Sequence, residues 1–230
     1  MKNKVILDSR ISKSSVVTLL NMGFEPIFIP KSPYLQEPVS AHPDMSVAKI
    51  GKRLFVAKGT EHLFYEEDCI ECNMEERMHL YPDDIAFNCA VVGNYVFCKK
   101  DYLDKEILKY LEENDFNIIN TKQGYAKCST CVVSDNAIIT EDDNIVECAL
   151  NAGIDALKIR KGYVKLDGYD YGFIGGASGL LNKNLLCFNG CIENHHDFSA
   201  IRNFCLKHNV ELLSLNNEPL YDVGSIITIN

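Results

Sequence analysis

The sequence predicts an α/β fold, a five-fold pseudosymmetric α/β propeller built from ββαβ units within a single domain over residues 1–230. Three observations lead to this prediction. Four stretches share one pattern, in which a tight polar turn joins two apolar strands, and they begin at near-regular intervals with Met45, Asn88, Cys128 and Ala177. Helix patterns follow the last three of these stretches. The two ends of the chain supply the halves of a fifth unit.

Each of the four stretches contains a turn sequence of the kind that β-hairpins require. The turns are Gly51-Lys52, Gly93-Asn94, Asp135-Asn136 and Asn182-Lys183-Asn184. Glycine, asparagine and aspartate tolerate the left-handed backbone conformation that a short hairpin turn imposes. Each stretch is therefore predicted to form two antiparallel strands.

A helix and a further strand are predicted after each of the last three hairpins, because apolar residues recur there at helical spacing. The predicted helices are 101–113, 144–152 and 197–208, and the predicted strands after them are 116–119, 156–159 and 210–215. Gly153 suits the end of the second helix. The first hairpin precedes a less regular stretch, where we expect some helix within 61–76 and a strand at 79–81.

The ends of the chain complete the fifth unit. Residues 224–230 form an apolar strand with no partner downstream, and residues 4–7 form one with no partner upstream. A helix over 12–21 and a strand over 26–30 follow. Pairing of the two terminal strands would close the ring and cover apolar faces that an open array leaves exposed. The alternative is a plain α+β sandwich whose elements happen to alternate.

The composition is that of a globular protein with an acidic surface. Hydrophobic residues make up 47% of the chain, charged residues make up 24%, and the formal net charge is −9. Because no Lys/Arg-rich stripe is present, neither nucleic acid nor a membrane is an expected partner. The sequence contains no apolar run of membrane-spanning length and no signal-peptide pattern, so we expect a cytoplasmic protein.

The chain contains ten cysteines. In a reducing cytoplasm these are expected to be free thiols. The pairs Cys69/Cys72 and Cys128/Cys131 have the local spacing of zinc ligands, although the two pairs lie farther apart than in a zinc ribbon or finger. A zinc-bound redox protein is therefore one alternative function.

A ring of equivalent units brings together residues that are distant in sequence, because each unit presents the start of its first strand to the centre. These positions carry His42 and Asp44 in one unit, Cys128 in another and Asp222 in the fifth. A thiol, an imidazole and carboxylates are the groups that thiolate catalysis on a cationic substrate requires. Cys128 is accordingly a candidate nucleophile.

The ring, with Cys and His on different units, resembles the pentein fold of the guanidine-modifying enzyme superfamily. That superfamily includes arginine deiminase, agmatine deiminase, amidinotransferases and dimethylarginine dimethylaminohydrolase. The local similarity covers residues 41–140 and is to the last of these, with residues 82–89 resembling its segment nearly residue for residue. Gly124 to Cys128 falls where the family has a glycine followed by its nucleophile, and His42-Pro43-Asp44 resembles the H-x-D of arginine deiminase. The order of units is circularly shifted relative to those enzymes.

The resemblance implies a Cys-dependent hydrolase or transferase that acts on a C–N bond of a small amidine or guanidine through a covalent thiol intermediate. The implied catalytic residues are Cys128, His42 and Asp222, and the implied substrate-binding residues are Asp44, Asn88, Ser178 and Ser225. It implies neither a metal nor a cofactor, and the expected partner is a small cationic molecule. A homodimer is a default expectation. Lys127 and a protonated His42 are expected to lower the pKa of the thiol.

One unit departs from the family pattern. Residues 172–180 correspond to the family unit that supplies a further acidic pair for the guanidinium, and they contain no carboxylate. This difference favours a different or less charged substrate, or a non-catalytic binding protein of the same fold. Of the remaining residues, Cys89 and Cys131 are expected to pack in the core, and His195-His196 is expected to be solvated on the outer rim.

Overall fold

The structure of the chain, a computed structural model, describes residues 3–64, 67–73 and 80–229. Its strands are β1 Lys4–Asp8, β2 Glu25–Ile29, β3 Val47–Ile50, β4 Arg53–Ala57, β5 Cys69–Cys72, β6 Ala90–Val92, β7 Tyr95–Cys98, β8 Asn117–Asn120, β9 Thr130–Ser134, β10 Ala137–Thr140, β11 Asp155–Lys158, β12 Ser178–Asn182, β13 Leu185–Phe188, β14 Glu211–Ser214 and β15 Ile227–Ile229. Its α-helices are α1 Lys13–Asn21, α2 Lys105–Glu113, α3 Asp143–Asn151 and α4 Phe198–Lys207.

The described strands form five three-stranded sheets, and each sheet is one unit of the predicted repeat. Units one to five are β3-β4-β5, β6-β7-β8, β9-β10-β11, β12-β13-β14 and β15-β1-β2. In every unit the first two strands are antiparallel, and the third pairs parallel with the middle strand. A parallel partner requires a crossover, which an α-helix supplies in units two to five. The predicted α/β propeller is confirmed.

Unit five is completed by the two ends of the chain. Strand β1 pairs antiparallel with β15, with Lys4 opposite Ile229 and Ile6 opposite Ile227. The ammonium of Lys49 on β3 donates to the carbonyl of Thr228 on β15 at 2.6 Å, which joins unit five to unit one. The first strands of all five units line a central cavity of about 340 Å³. The ring is closed, and the alternative of a plain sandwich is wrong.

The hydrophobic core lies mainly between neighbouring units rather than inside each one. Buried side chains of β9 and β10 pack with those of β13 and α4, and buried side chains of β3 and β4 pack with those of α2. Three further clusters join units four and five, five and one, and two and three. Because each unit buries its apolar faces against two neighbours, every unit depends on the closed ring for its stability.

Capping residues set where the helices begin. The carboxylate of Asp104 accepts from the backbone N–H groups of Glu106 and Ile107 and fixes the start of α2. The helix therefore begins later than the predicted residue 101, and a short 3-10 helix precedes it. Ser12 caps α1. None of the helices in the described residues is both long and apolar enough to cross a bilayer.

Unit one departs from the prediction. A short 3-10 helix, Glu61–Phe64, lies within residues 61–76, where some helix was expected. The third strand is β5, which pairs with β4 so that Leu54 lies opposite Cys69. The predicted strand at 79–81 is wrong for Leu80 and Tyr81, which form a bend and a turn, and residue 79 lies outside the described residues. The four residues of β5 are too short a run to separate strand from loop by pattern.

The two adjacent histidines after β13 have opposite environments. His196 is exposed as predicted, but His195 is 4% exposed, so the prediction of a solvated pair is wrong for it. The Nδ1 atom of His195 accepts from the backbone N–H of Asp197 at 3.0 Å. Its Nε2 atom has no hydrogen-bond partner within the described chain. Burial lowers the pKa of His195, because the imidazolium loses its hydration.

We expect the buried His195 to make folding stability depend on pH. The folded protein holds the ring neutral, whereas the unfolded chain takes up a proton as pH falls through about 6.5. Stability is therefore lost as pH falls through that range, by about 1 kcal/mol for each unit of pKa difference. Urea unfolding at pH 7.5 and pH 5.5 measures the loss. His195→Gln should reduce the pH dependence and His196→Gln should not, and equal behaviour of the two variants would contradict the assignment.

Candidate active site

His42 and Asp44 lie where the chain enters β3. His42 precedes a short 3-10 helix, Pro43–Met45, and proline at its first position pre-sets the backbone dihedral that the turn needs. Both side chains are almost fully buried, at 1% and 0% exposed. The backbone N–H of Asp44 donates to the carbonyl of Gly224 at 3.0 Å, which ties this turn of unit one to the C-terminal segment of unit five.

Cys128 is held by residues of two other units. Its sulfur donates to Asp44 Oδ2 at 3.2 Å and accepts from Asn88 Nδ2 at 3.1 Å. The side-chain oxygen Oδ1 of Asn88 accepts from the backbone N–H groups of Lys127 at 2.7 Å and of Cys128 at 3.4 Å, so one amide side chain contacts both the backbone and the sulfur of Cys128. The ring thus brings three predicted site residues, from units one, two and three, into direct contact.

Asp222 is a buried carboxylate whose two oxygens are bound by backbone groups. Oδ1 accepts from the N–H of Gly224 and Oδ2 from the N–H of Phe173, each at 2.9 Å. Its Oδ1 atom lies 3.8 Å from His42 Nδ1, just beyond hydrogen-bond distance. Burial raises the pKa of Asp222 and the charge of Asp44 adds to the increase, whereas His42 and the two N–H groups act against it.

Gly176 of unit four and Gly224 of unit five leave the space that the side chains of Asp222 and His42 occupy. A Cβ atom placed on Gly176 would lie 2.0 Å from Asp222 Oδ1, which is far inside contact distance. A Cβ atom on Gly224, whose φ is +66°, would lie 2.2 Å from His42 Cβ. The carboxylate of Asp222 therefore occupies the space that a side chain at position 176 would need. The unit that lacks an acidic residue is packed against one from its neighbour.

Asp8 is a site residue that the sequence reasoning missed. It ends β1, and its Oδ2 atom lies 3.9 Å from His42 Nε2. The guanidinium of Arg10 donates to both of its oxygens, at 3.0 Å to Oδ1 and 2.6 Å to Oδ2. His42 thus lies between Asp8 and Asp222, which come from opposite ends of the chain. The predicted site residues lie at or just before the starts of the first strands of their units, whereas Asp8 is the last residue of β1, the second strand of its unit.

The two predicted serines have different positions. Ser225 Oγ is 2.7 Å from Asp44 Oδ2 and 3.0 Å from the carbonyl of Gly175, and it accepts from Lys127 Nζ at 2.9 Å. Ser178 Oγ lies 3.4 Å from the same carbonyl of Gly175. Ser178 lines the central cavity rather than the cavity at Cys128. The geometry gives Ser225 a contact with the site and gives Ser178 none.

A cavity of about 230 Å³ opens onto these residues. Its lining comprises Val39, His42, Met45, Tyr125, Cys128, Leu166, Tyr169, Asp170, Tyr171, Phe173 and Asp222. Cys128 and His42 therefore face one common space. The aromatic residues come from the Cys128 entrance and from the loop between β11 and β12, and the sequence reasoning did not identify them. Their signal was a cluster of aromatic residues, Tyr169 to Phe173, in a loop.

The thiol of Cys128 lies in a strongly unfavourable environment for a thiolate. Burial raises its pKa well above the ordinary value, and the charges of Asp44 and Asp222 raise it further, while the hydrogen bond from Asn88 acts against them. The expected lowering of this pKa is wrong, because burial and the two carboxylates outweigh any cation nearby. The ammonium of Lys127 donates to Ser225 Oγ, which in turn lies 2.7 Å from Asp44 Oδ2.

The other half of the CxxC pair has a different role. Cys131 lies on β9 and is completely buried among apolar side chains, as predicted. Cys72 and Cys89 are likewise buried in the core between units one and two. Within residues 3–64, 67–73 and 80–229, no group of three or more His, Cys, Asp or Glu side chains is arranged to hold a metal ion.

We expect Gly176→Ala to destabilise the protein through its contact with Asp222. The new methyl group overlaps the carboxylate and forces a local shift, for which about 2 kcal/mol is the usual cost of overpacking. A double-mutant cycle by urea unfolding measures the coupling, with Asp222→Ala as the second change. The cost of Gly176→Ala should fall in the Asp222→Ala background, because the overlapping atoms are gone. An equal cost in both backgrounds would refute the proposed contact.

Comparisons with known proteins agree with this architecture. The model of a family described as "Family of unknown function (DUF6873)" matches residues 6–227. No curated protein matches the sequence significantly. Among solved structures, an amidinotransferase of the saxitoxin biosynthetic pathway from Microseira wollei is 9% identical with a TM-score of 0.58, and the match covers 93% of this chain and 88% of that one.

Two further solved structures are similar over nearly their whole length. An agmatine deiminase from C. jejuni is 10% identical with a TM-score of 0.56, covering 94% of this chain and 88% of that one. Dimethylarginine dimethylaminohydrolase from Pseudomonas aeruginosa, in complex with citrulline, is 7% identical with a TM-score of 0.54, covering 93% and 92%. At such low identity the similarity establishes the fold. The protein therefore belongs to the family described as "Family of unknown function (DUF6873)", and its fold is the pentein fold of the guanidine-modifying enzyme superfamily.

Proposed function

We propose that the protein is a Cys128-dependent enzyme that breaks a C–N bond of a small cationic amidine or guanidine through a covalent thiol intermediate. The observation that carries this proposal is the direct contact between Cys128 Sγ and Asp44 Oδ2, at 3.2 Å, beside the cavity that Cys128 shares with His42 and Asp222. A nucleophile, an acid/base group and carboxylates converge there on one space.

The carboxylates are suited to hold a cation next to the sulfur. Asp44 Oδ1 is buried behind the sulfur and has no hydrogen-bond partner within the described chain, so its charge acts on the cavity through Cys128 rather than from the cavity lining. Asp222 retains unused lone pairs on oxygens that each accept one backbone N–H. A planar amidinium or guanidinium presents several N–H donors in a fixed geometry that matches such carboxylates.

The same carboxylates control when the thiol becomes reactive. In the free protein the thiol stays protonated, because burial and the negative charges of Asp44 and Asp222 raise its pKa. A bound cation offsets those charges and so favours the thiolate. Binding of the substrate thereby lowers the pKa of the group that attacks it, and the free thiol is protected from unspecific reactions.

The chemical steps then follow from the groups lining the cavity. His42 takes the thiol proton, and the thiolate forms an S–C bond with the amidine carbon. The C–N bond to the leaving amine breaks as His42 returns the proton to that nitrogen, which leaves a thiouronium-type intermediate. Water, deprotonated by His42, adds to the same carbon, the C–S bond breaks, and His42 reprotonates the sulfur. In a transferase an amine acceptor takes the place of water.

His42 is placed to carry these protons. Its ring lies between Asp8 and Asp222, at 3.9 Å and 3.8 Å, so an imidazolium formed during the reaction has a carboxylate on each side. Nδ1 has no hydrogen-bond partner within the described chain. The non-catalytic alternative predicts an unreactive Cys128 and a closed or filled channel mouth. The raised pKa of the free thiol agrees with the first, and the cavity at Cys128 counts against the second.

We expect alkylation of Cys128 by iodoacetamide to follow a high thiol pKa and to be slow at neutral pH. Asp44→Asn removes one of the charges that raise this pKa, and a decrease of about one pKa unit should make alkylation of Cys128 about tenfold faster at each pH below the midpoint. Peptide mass spectrometry across pH 6 to 10 measures the profile of Cys128. Asp101→Asn, at an exposed site, serves as the control and should not shift it.

A guanidine that fills the cavity should also protect Cys128 from iodoacetamide at high pH. Butylguanidine is the probe, and the half-exposed Cys191 provides the reference within the same digest. An ordinary thiol profile, unchanged by Asp44→Asn and unaffected by the probe, would overturn the proposed function.

A further inference from the structure

We propose that the substrate carries its amidine or guanidine on an apolar or aromatic tail without a carboxylate, held by four aromatic rings and selected against anionic ends by Asp170. This inference rests on the proposed function of the same site and specifies its substrate class. The four rings belong to Tyr125, Tyr169, Tyr171 and Phe173, which we call the aromatic wall.

Three of the four rings of the aromatic wall pack against one another. The ring of Phe173 lies 6.5 Å from that of Tyr125 and meets the ring of Tyr171 edge-on at 6.0 Å, both measured between centroids. These are the separations at which aromatic side chains pack favourably. A ligand that enters the cavity therefore meets a set of rings that already support one another.

Two hydroxyl groups of the aromatic wall, those of Tyr125 and Tyr169, already donate hydrogen bonds within the protein. The hydroxyl of Tyr125 donates to Asp84 Oδ2 at 2.7 Å, and the hydroxyl of Tyr169 donates to Gln36 Oε1 at 3.2 Å. With their donor hydrogens used in this way, the two tyrosines offer mainly ring carbon to a ligand. A cationic head or a hydrocarbon tail gains from contact with such rings, and a carboxylate does not.

The remaining wall of the cavity is aliphatic. Val39, Met45 and Leu166 line it, and Leu166 and Met45 belong to one small buried cluster. The buried polar groups of the lining are thus concentrated at the Cys128 end of the cavity. A cavity of about 230 Å³ divided in this way fits a planar cationic head and a short apolar body.

Asp170 determines which tail is tolerated. Among the described residues that line the cavity, the ionisable side chains apart from the thiol and the tyrosines are His42, Asp222 and Asp170. Asp170 is exposed, in the same loop as Tyr169 and Tyr171, whereas His42 and Asp222 are buried. A ligand whose head occupies the buried carboxylates points its tail toward the aromatic wall and Asp170. A tail carboxylate is repelled there, because like charges held close together raise the free energy of the complex.

Isothermal titration calorimetry on the full-length Cys128→Ser variant tests this proposal, since binding is then separated from turnover. The probes are phenylguanidine, butylguanidine and 4-guanidinobutyrate, whose tail ends in a carboxylate. We expect phenylguanidine and butylguanidine to bind at least about tenfold more tightly than 4-guanidinobutyrate. In the same background, Asp170→Asn should narrow this difference in affinity by strengthening 4-guanidinobutyrate binding, and Asp167→Asn, an exposed aspartate outside this cavity, should leave it unchanged.

The chain also provides a matched pair of tyrosines. Tyr169 and Tyr163 are both 41% exposed, but Tyr163 packs on the two histidines after β13 and does not line the cavity. Tyr169→Ala should weaken phenylguanidine binding about tenfold, Tyr169→Phe should preserve it, and Tyr163→Ala should have no effect. Circular dichroism confirms that each variant is folded before binding is measured.

The outcomes separate the two proposals. If 4-guanidinobutyrate binds as tightly as phenylguanidine, or if Tyr169→Ala and Tyr163→Ala behave alike, the inferred substrate class is wrong while the proposed function stands. If none of the three probes binds and none protects Cys128 of the unmodified protein, both proposals fail. Tight binding of the apolar guanidines that depends on Tyr169 and Asp170 supports both.

Discussion

The antiparallel pairing of β1 with β15 is the interaction on which the rest of the structure depends. It supplies the fifth unit with its first strand and closes the ring. Because the hydrophobic core lies between units, an open ring would leave two units with one apolar face uncovered. The closure also brings Asp8 and Asp222, from opposite ends of the chain, to the two sides of His42. Stability and the candidate site therefore share one structural cause.

Within the closed ring, the site is dominated by desolvated negative charge. Asp44 and Asp222 are buried beside a thiol, and Asp8 is neutralised by Arg10, so the uncompensated carboxylates are those that face Cys128. Burying an unpaired charge costs far more than burying a polar group, and such a site gains most from a cationic ligand. The same arrangement that favours a cation also holds the thiol protonated. The same buried carboxylates thus connect the preference for a cationic ligand to the protonation of the Cys128 thiol.

The sequence predicts the repeat well because local sequence signals mark its hairpins and helices. Turn residues such as Gly93 mark the hairpins, and Gly153 marks the end of a helix. Those signals act over a few residues and need no tertiary context. Unit one was predicted poorly, because β5 is a four-residue strand whose alternation is too short to recognise.

Residues of the site were predictable only as far as they occupy equivalent places in the repeat. Asp44, Cys128 and Asp222 were found because they share the entrance to a first strand, and Asp8 was missed because it ends a second strand. The raised pKa of Cys128 was also unpredictable, since burial and two carboxylates outweigh the cation of Lys127, its neighbour in sequence. Desolvation depends on which groups surround a side chain in three dimensions, and a one-dimensional pattern does not contain that information.

The pairing of β1 with β15 has a consequence for how the protein folds. The segment with Asp8 is synthesised long before the segment with Asp222 and Ser225, so the surroundings of His42 are completed only after the residues between them have been made. Pairing such distant segments carries a large loop-closure entropy, which makes it a slow step in folding. Until that step, Cys128 and its neighbours exist as parts of an unassembled site. The candidate site is therefore assembled late in folding.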